Sequence, residues 1–216
     1  MEGAQRDPHK ITFLMRSIAR NVATMATIET LRKDVKGLEG DLAVNTVQSY
    51  LDILERLHVV ENQPAWRASL RSSAHLRKSP KRHFVDPSIA VAALKTSPEG
   101  LLKDFNTFGY LFESLCIRDL RIYAQGLGGE VCHYRDDTGL EADAIVVLPD
   151  GRWGAIEIKM GQRQVEEASL NLLKLRDKVD TKAMNPPSFL MVLTGNGYAL
   201  KRKNEVMIVP VSCLRD

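Results

Sequence analysis

The run Trp153-Gly154-Ala155-Ile156-Glu157-Ile158-Lys159 constrains this chain more than any other segment, because it sets two opposite charges into an apolar stretch bounded by turn sequences. In an extended strand, residues two apart share a face, so Glu157 and Lys159 point one way while Ile156 and Ile158 enter the opposite packing layer. The stretch Glu141-Ala142-Asp143-Ala144-Ile145 reads as a neighbouring strand, and Pro149-Asp150-Gly151 between the two is a strong turn. Two strands joined so tightly bring Asp143 beside Glu157. The plain alternative is an ion pair on an exposed sheet, worth only about 0–1 kcal/mol. It leaves the apolar flanks of the pair unexplained.

The surrounding pattern predicts a sheet protein. A long helix over 105–123 buries Phe108, Leu111, Phe112, Leu115 and Ile117 and stops at Gly126, Gly128 and Gly129. Strands follow at about 131–135, 140–148 and 153–159, with Asp136-Asp137-Thr138-Gly139 as the first turn, and a consecutive three-stranded meander is the simplest arrangement. A helix over 164–178 and a continuous apolar run at 189–193, of buried-strand type, come next. A last strand near 206–209 completes the order.

The first third is different. Ile11, Leu14, Met15, Ile18 and Val22 form a helical stripe, and a weaker helix spans 28–35. After the stop at 37–40, Asn45 is placed to cap a third helix carrying Val47, Tyr50, Leu51, Leu54 and Leu57. Val59-Val60 and His83-Phe84-Val85 read as two strands around a polar loop, the layout of a winged helix-turn-helix. Asp86-Pro87-Ser88 opens another helix, with Asp86 as cap and Pro87 in the first turn. Pro98 and Gly100 mark a domain boundary, dividing the chain into 1–98 and 99–216.

The wing loop concentrates positive charge. Arg67, Arg71, Arg77, Lys78, Lys81 and Arg82 occur there with no acidic residue among them, an electrostatic footprint suited to phosphates and equally compatible with a solvated loop. At the other end, crowded carboxylates are costly unless a cation neutralises them, and Mg2+ or Mn2+ takes oxygen ligands of the kind Asp143 and Glu157 offer. Lys159 beside them could orient or help deprotonate an attacking water, a role that needs a positive or pKa-depressed amine. Gln164 could line the same cleft.

The Asp143, then Glu157-x-Lys159 on the next strand, following a helix that carries a Glu, resembles the PD-(D/E)xK nuclease superfamily. More of the chain is similar to a narrower group, the domain of unknown function found behind AAA-type ATPase domains at the C-terminal end of bacterial and archaeal ATP-binding proteins. The matching pieces are Thr46-Val47-Gln48-Ser49-Tyr50-Leu51-Asp52-Ile53-Leu54, Lys81-Arg82-His83-Phe84-Val85-Asp86-Pro87-Ser88, Gly109-Tyr110-Leu111-Phe112-Glu113-Ser114-Leu115, Tyr134-Arg135-Asp136-Asp137 leading to Glu141-Ala142-Asp143, and Ile156-Glu157-Ile158-Lys159 followed by Gly161. Together they span nearly all of 11–174. The resemblance implies an α/β (α+β) chain: a winged helix-turn-helix, then a restriction-endonuclease-like αβββαβ domain. It implies catalytic Glu113, Asp143, Glu157 and Lys159, with Glu113 as a further metal carboxylate, acting on nucleic acid, DNA ahead of RNA. An ATPase domain in cis or in trans is the implied partner.

Composition narrows the alternatives. At 44% hydrophobic and 26% charged residues, with net charge +3, the chain is ordinary globular protein and mildly basic. Cys116, Cys132 and Cys213 are odd in number and lack CxxC spacing, so neither a disulfide framework nor a zinc site is indicated, and a reducing cytoplasm fits. No apolar run is long enough to cross a bilayer. The sequence has no G-x-x-x-x-G-K-[ST] loop, so it offers no recognisable ATP cradle of its own. His9, His58, His75, His83 and His133 form no ligand pair. Two other classes stay open: a non-catalytic module binding nucleic acid or a protein partner for an ATPase, and a regulator acting through the winged helix alone.

Overall fold

The computed structural model describes residues 7–39, 42–66, 79–181 and 184–215. The chain forms two compact units, one from Met1–Asn62 with Lys81–Leu111 and the other from Gln63–Pro80 with Phe112–Asp216. It is a mixed α+β protein. No helix among the described residues is long and apolar enough to cross a membrane.

The first unit opens with α1 (Pro8–Arg20), which begins at Asp7, whose carboxylate accepts from the His9 amide at 2.9 Å, with Pro8 in the first turn. Leu14 and Ile18 from α1, Leu31 and Val35 from α2 (Ile28–Glu39), and Val47, Leu51 and Leu54 from α3 (Val44–Arg56) share one core. Asn45 does not cap α3. Ala43 occupies that position without a side-chain bond, and Asn45 lies inside the first turn. Leu42 and Val47, both buried in the same core, flank the start in the pattern of a hydrophobic staple, so apolar anchoring sets the entry instead. Strands β1 (Val60–Gln63) and β2 (Lys81–Phe84) pair, and α4 (Pro87–Leu94) follows, capped by Asp86 at 2.8 Å from the Ser88 amide as the sequence predicts. A short helix, α5 (Pro98–Lys103), occupies the stretch read as a linker.

Helix α6 (Phe105–Gly126) leads into the second unit, where six strands run in the order β3-β4-β5-β6-β8-β7. The predicted meander is present: β3 (Glu130–Arg135), β4 (Glu141–Val147) and β5 (Trp153–Lys159) are antiparallel neighbours. After a 3-10 turn that contains Gln164, helix α7 (Val165–Lys178) crosses to β6 (Phe189–Thr194), which lies parallel to β5. Strand β8 (Met207–Pro210) is parallel to β6, and the two-residue β7 (Leu200–Lys201), which has no hydrophobic pattern to announce it, pairs with β8.

This sheet has a core on each face. Ile156, Ile158, Ala144 and Leu193 pack with Cys116, Ile117, Leu120 and Ala124 of α6. Ala155, Ile145, Val192 and Ile208 pack with Ala168, Leu172 and Leu175 of α7. Burying both faces explains why β5 and β6 read as apolar runs rather than as alternating ones. Gly154 is needed where β5 meets β6, since a Cβ there would stand 2.3 Å from the Phe189 ring.

The β3–β4 turn is tied to α7 through one carboxylate. Asp136 accepts from the Thr138 amide (2.8 Å), the Thr138 hydroxyl (2.7 Å), the Leu140 amide (3.1 Å) and the Tyr134 hydroxyl (3.1 Å), and it pairs with Lys178 Nζ at 2.5 Å. Burial alone would raise its pKa, but these donors, Lys178 foremost, hold it well below the usual aspartate range. A depressed carboxylate stabilises the fold above its unfolded pKa and loses that contribution as pH falls through the folded value. Asp136→Asn should therefore lose about 1.5–3 kcal/mol at neutral pH. Urea titration at a series of pH values should show the deficit shrinking below about pH 4.

Candidate functional site

The register between β3 and β4 skips one residue. Cys132 faces Ile145 and Tyr134 faces Ala142, so Asp143 and Ala144 together stand opposite His133. Such a bulge bends its strand and re-aims a side chain. Asp143, 5% exposed, turns its Oδ2 to accept from the Ile158 amide of β5 at 2.8 Å. Lys159 Nζ approaches the same oxygen at 3.3 Å. The β4–β5 ladder runs to Ala144 opposite Ile156, and the electrostatic influence of Asp143 reaches Glu157.

Glu157 is more deeply buried, at 1% exposure. Its Oε2 lies 2.7 Å from Lys159 Nζ, while its Oε1 is buried with no hydrogen-bond partner among the described residues. Burial and, next, the Asp143 charge push its pKa up to about 8, against the opposing pull of Lys159. Lys159 has a quarter of its side chain exposed. Burial pulls its pKa down, but the Asp143 and Glu157 carboxylates outweigh this and hold it above the usual lysine range. The structure thus brings Asp143, Glu157 and Lys159 together at the end of β5.

Glu113 stands on α6, half-buried, one helical turn before Cys116. Burial raises the Cys116 thiol pKa, and Asp119, Glu113 and Asp143 raise it further, so Glu113 and Asp143 act on one buried sulfur. Among the described residues, however, no three His, Cys, Asp or Glu side chains are grouped as a metal site. Glu113 is thus not assembled with Asp143 and Glu157 into a three-carboxylate ligand set. Gln164 is exposed in its 3-10 turn.

The basic cluster divides. Arg67, Arg71, Arg77 and Lys78 lie outside the described residues. Lys81 is half-buried at the start of β2. Arg82 is corrected by the structure: it is 7% exposed, and its Nη1 donates to the Ala26 carbonyl at 2.6 Å. The connection between α1 and α2 lies against it, with the Ala23 amide donating to the Arg82 carbonyl at 2.9 Å. Arg82 is a buried clamp within the first unit rather than a phosphate contact. Charge and loop composition could not reveal this, because its partner is a backbone carbonyl 56 positions away.

One residue near Asp143 escaped sequence reasoning altogether. Gln63 is fully buried, and its amide donates to the Asp143 carbonyl at 2.9 Å and the Cys132 carbonyl at 3.1 Å. In the sequence it is an uncharged residue in a polar stretch, 80 positions before Asp143, and no motif marks it.

Residues 1–100 match the family model described as "Domain of unknown function (DUF8612)", and residues 108–214 match that described as "Domain of unknown function (DUF4143)". No curated protein matches the chain significantly. Among solved structures, a half-complex of Thermococcus gammatolerans McrB AAA+ hexamers with bound McrC is similar at 10% identity and a TM-score of 0.33, over 96% of this chain and 72% of that one. Protein VC1899 from Vibrio cholerae is similar at 12% identity and a TM-score of 0.32, over 96% of this chain. The chain spans about half of VC1899, 54% of its length. Likenesses this remote leave the function of this chain to its own residues.

The raised pKa of Glu157 has a sign that can be measured. Between its ordinary value near 4.5 and about 8, the folded state holds a proton that the unfolded state releases, so this group weakens the fold as pH rises through that window. Glu157→Gln removes the effect. Its stability relative to the parent chain should climb by up to about 1.4 kcal/mol per pH unit across the window. Denaturant unfolding from pH 5 to pH 9 checks this, and a constant difference would refute the assignment.

Proposed function

We propose that the second unit is a divalent-metal-dependent phosphodiesterase of the PD-(D/E)xK nuclease type, with a restriction-endonuclease-like fold. The observation that carries the reading is the buried Glu157 Oε1, which has no partner although it sits in a cluster with Asp143 and Lys159. A buried carboxylate oxygen left without a donor is costly unless a ligand satisfies it. The donor set fits a hard cation: Mg2+ keeps several waters and needs only one or two protein carboxylates, with substrate phosphate completing its shell. Asp143 and Glu157 would hold Mg2+ or Mn2+, with Glu113 of α6 as a further carboxylate. Such an ion supplies Lewis-acid stabilisation of charge on phosphate oxygens and activation of water.

The chain's own residues do the rest. The bulge at 143–144 and the Ile158 amide orient the Asp143 carboxylate. Lys159, kept protonated by two carboxylates, brings a fixed positive charge to a site meant for an anionic substrate. The first unit, three helices followed by a paired β1 and β2, is read as a winged helix. Arg67, Arg71, Arg77 and Lys78, between β1 and β2 in the sequence, with Lys81, would hold a nucleic-acid backbone through phosphate contacts, DNA ahead of RNA. ATP-driven action would come from an ATPase in cis or in trans.

A second reading, a non-catalytic module for nucleic acid or a protein partner, is favoured by one observation. Lys159 already bridges both carboxylates and can neutralise them without a metal. Incubation with plasmid and single-stranded substrates, with and without Mg2+ or Mn2+, separates the two. Metal-dependent cleavage is expected, with Asp143→Asn, Glu157→Gln and Lys159→Ala each reducing it by about 10²–10⁴-fold. Absence of cleavage on every substrate would favour the binding module, and full activity of Lys159→Ala would overturn the role given to that residue.

A further inference from the structure

We infer that Gln63 is a positioning residue for Asp143: its side-chain amide holds the bulge that aims the carboxylate toward Glu157 and Lys159. Its importance for catalysis rests on the nuclease reading above, but the positioning itself stands on geometry. A primary amide has two N–H donors. Gln63 directs this one group at two carbonyls, Cys132 on β3 at 3.1 Å and Asp143 on β4 at 2.9 Å. Those two residues border the place where the β3–β4 register skips. A bulge interrupts the ladder and leaves a residue without its regular partner. A buried donor bonded to both strands at that point replaces the missing rungs.

The donor is itself held. Immediately after Gln63, the Pro64 carbonyl accepts from the His133 amide at 2.9 Å, and the Trp66 amide donates to the His133 carbonyl at 2.7 Å. Ala65 bridges to His133 in parallel. The Trp66 ring packs on Trp153 at a centroid distance of 4.6 Å and edge-on to Tyr134 at 5.9 Å. His133, the residue facing the bulge, is thus fixed through its backbone by the segment that delivers the Gln63 amide. The Asp143 carbonyl and carboxylate belong to one residue, so fixing the peptide plane restricts where Oδ2 can reach. Productive sites tolerate displacements of only about 0.5 Å in such groups.

A merely structural glutamine would affect stability alone, and the test separates the two roles. Gln63→Met keeps the length and removes the donors. Asp136→Asn is the control, destabilising the same unit at the β3–β4 turn, outside the bulge. The first readout is the native-state amide proton shift of Ile158, which donates to Asp143 Oδ2. The second is Mn2+ affinity by electron paramagnetic resonance. Gln63→Met should move the Ile158 resonance upfield and weaken Mn2+ binding by about 10–100-fold, while Asp136→Asn leaves both near their parent values. An unchanged Ile158 shift in Gln63→Met, or an equal change in the control, would overturn the proposal. Failure of the parent chain to bind Mn2+ would remove the metal reading, and the Ile158 shift would still decide the positioning role. If Gln63→Met does not fold, Gln63→Asn replaces it: the donors remain but fall one methylene short, and the same upfield movement is expected.

Discussion

Two carboxylates can stay inside the second unit because one ammonium and one backbone amide face them. Lys159 Nζ bridges Asp143 and Glu157, and the Ile158 amide donates to Asp143. Without those donors the pair would combine the desolvation of two charges with their mutual repulsion, an arrangement proteins avoid by protonation or by a counter-ion. The balance is incomplete: one Glu157 oxygen has no donor among the described residues, and burial, with the Asp143 charge, raises the group's pKa. A fold meant only to be stable would do better with apolar residues of similar volume.

The sheet makes this tolerable by being rigid elsewhere. β5 is flanked by β4 and β6, and both of its faces are buried under α6 and α7. Fixed strands let short-range geometry decide where the charged tips meet. The irregularity is confined to one step of the β3–β4 register, beside Asp143.

Much of this was legible in the sequence wherever local chemistry decides the outcome. Apolar stretches bounded by turn residues placed β3, β4 and β5 to within a residue or two, and Asp86-Pro87 announced α4. The Glu157-x-Lys159 spacing foretold a shared face, and the contact is present. Other features depended on how the chain packs. Asn45 looked like a cap, but buried Leu42 and Val47 mark the start of α3. Arg82 looked exposed because its neighbours in sequence are basic and polar, yet it is buried and its Nη1 donates to the Ala26 carbonyl. Glu113 came from family position alone, and it stands half-buried on α6. Gln63 had no local signal, since only the folded chain brings it to a bulge formed far downstream.

The segment 64–66 has one more effect. Strand β3 is the outermost member of its sheet, and an outer strand offers a row of backbone groups to which another chain can add. Here the His133 amide and carbonyl are already taken by Pro64 and Trp66. At the opposite border, β7 is only two residues long. Both margins are therefore poor templates for strand addition, which protects a sheet rich in valine, isoleucine and leucine from self-association through its edges.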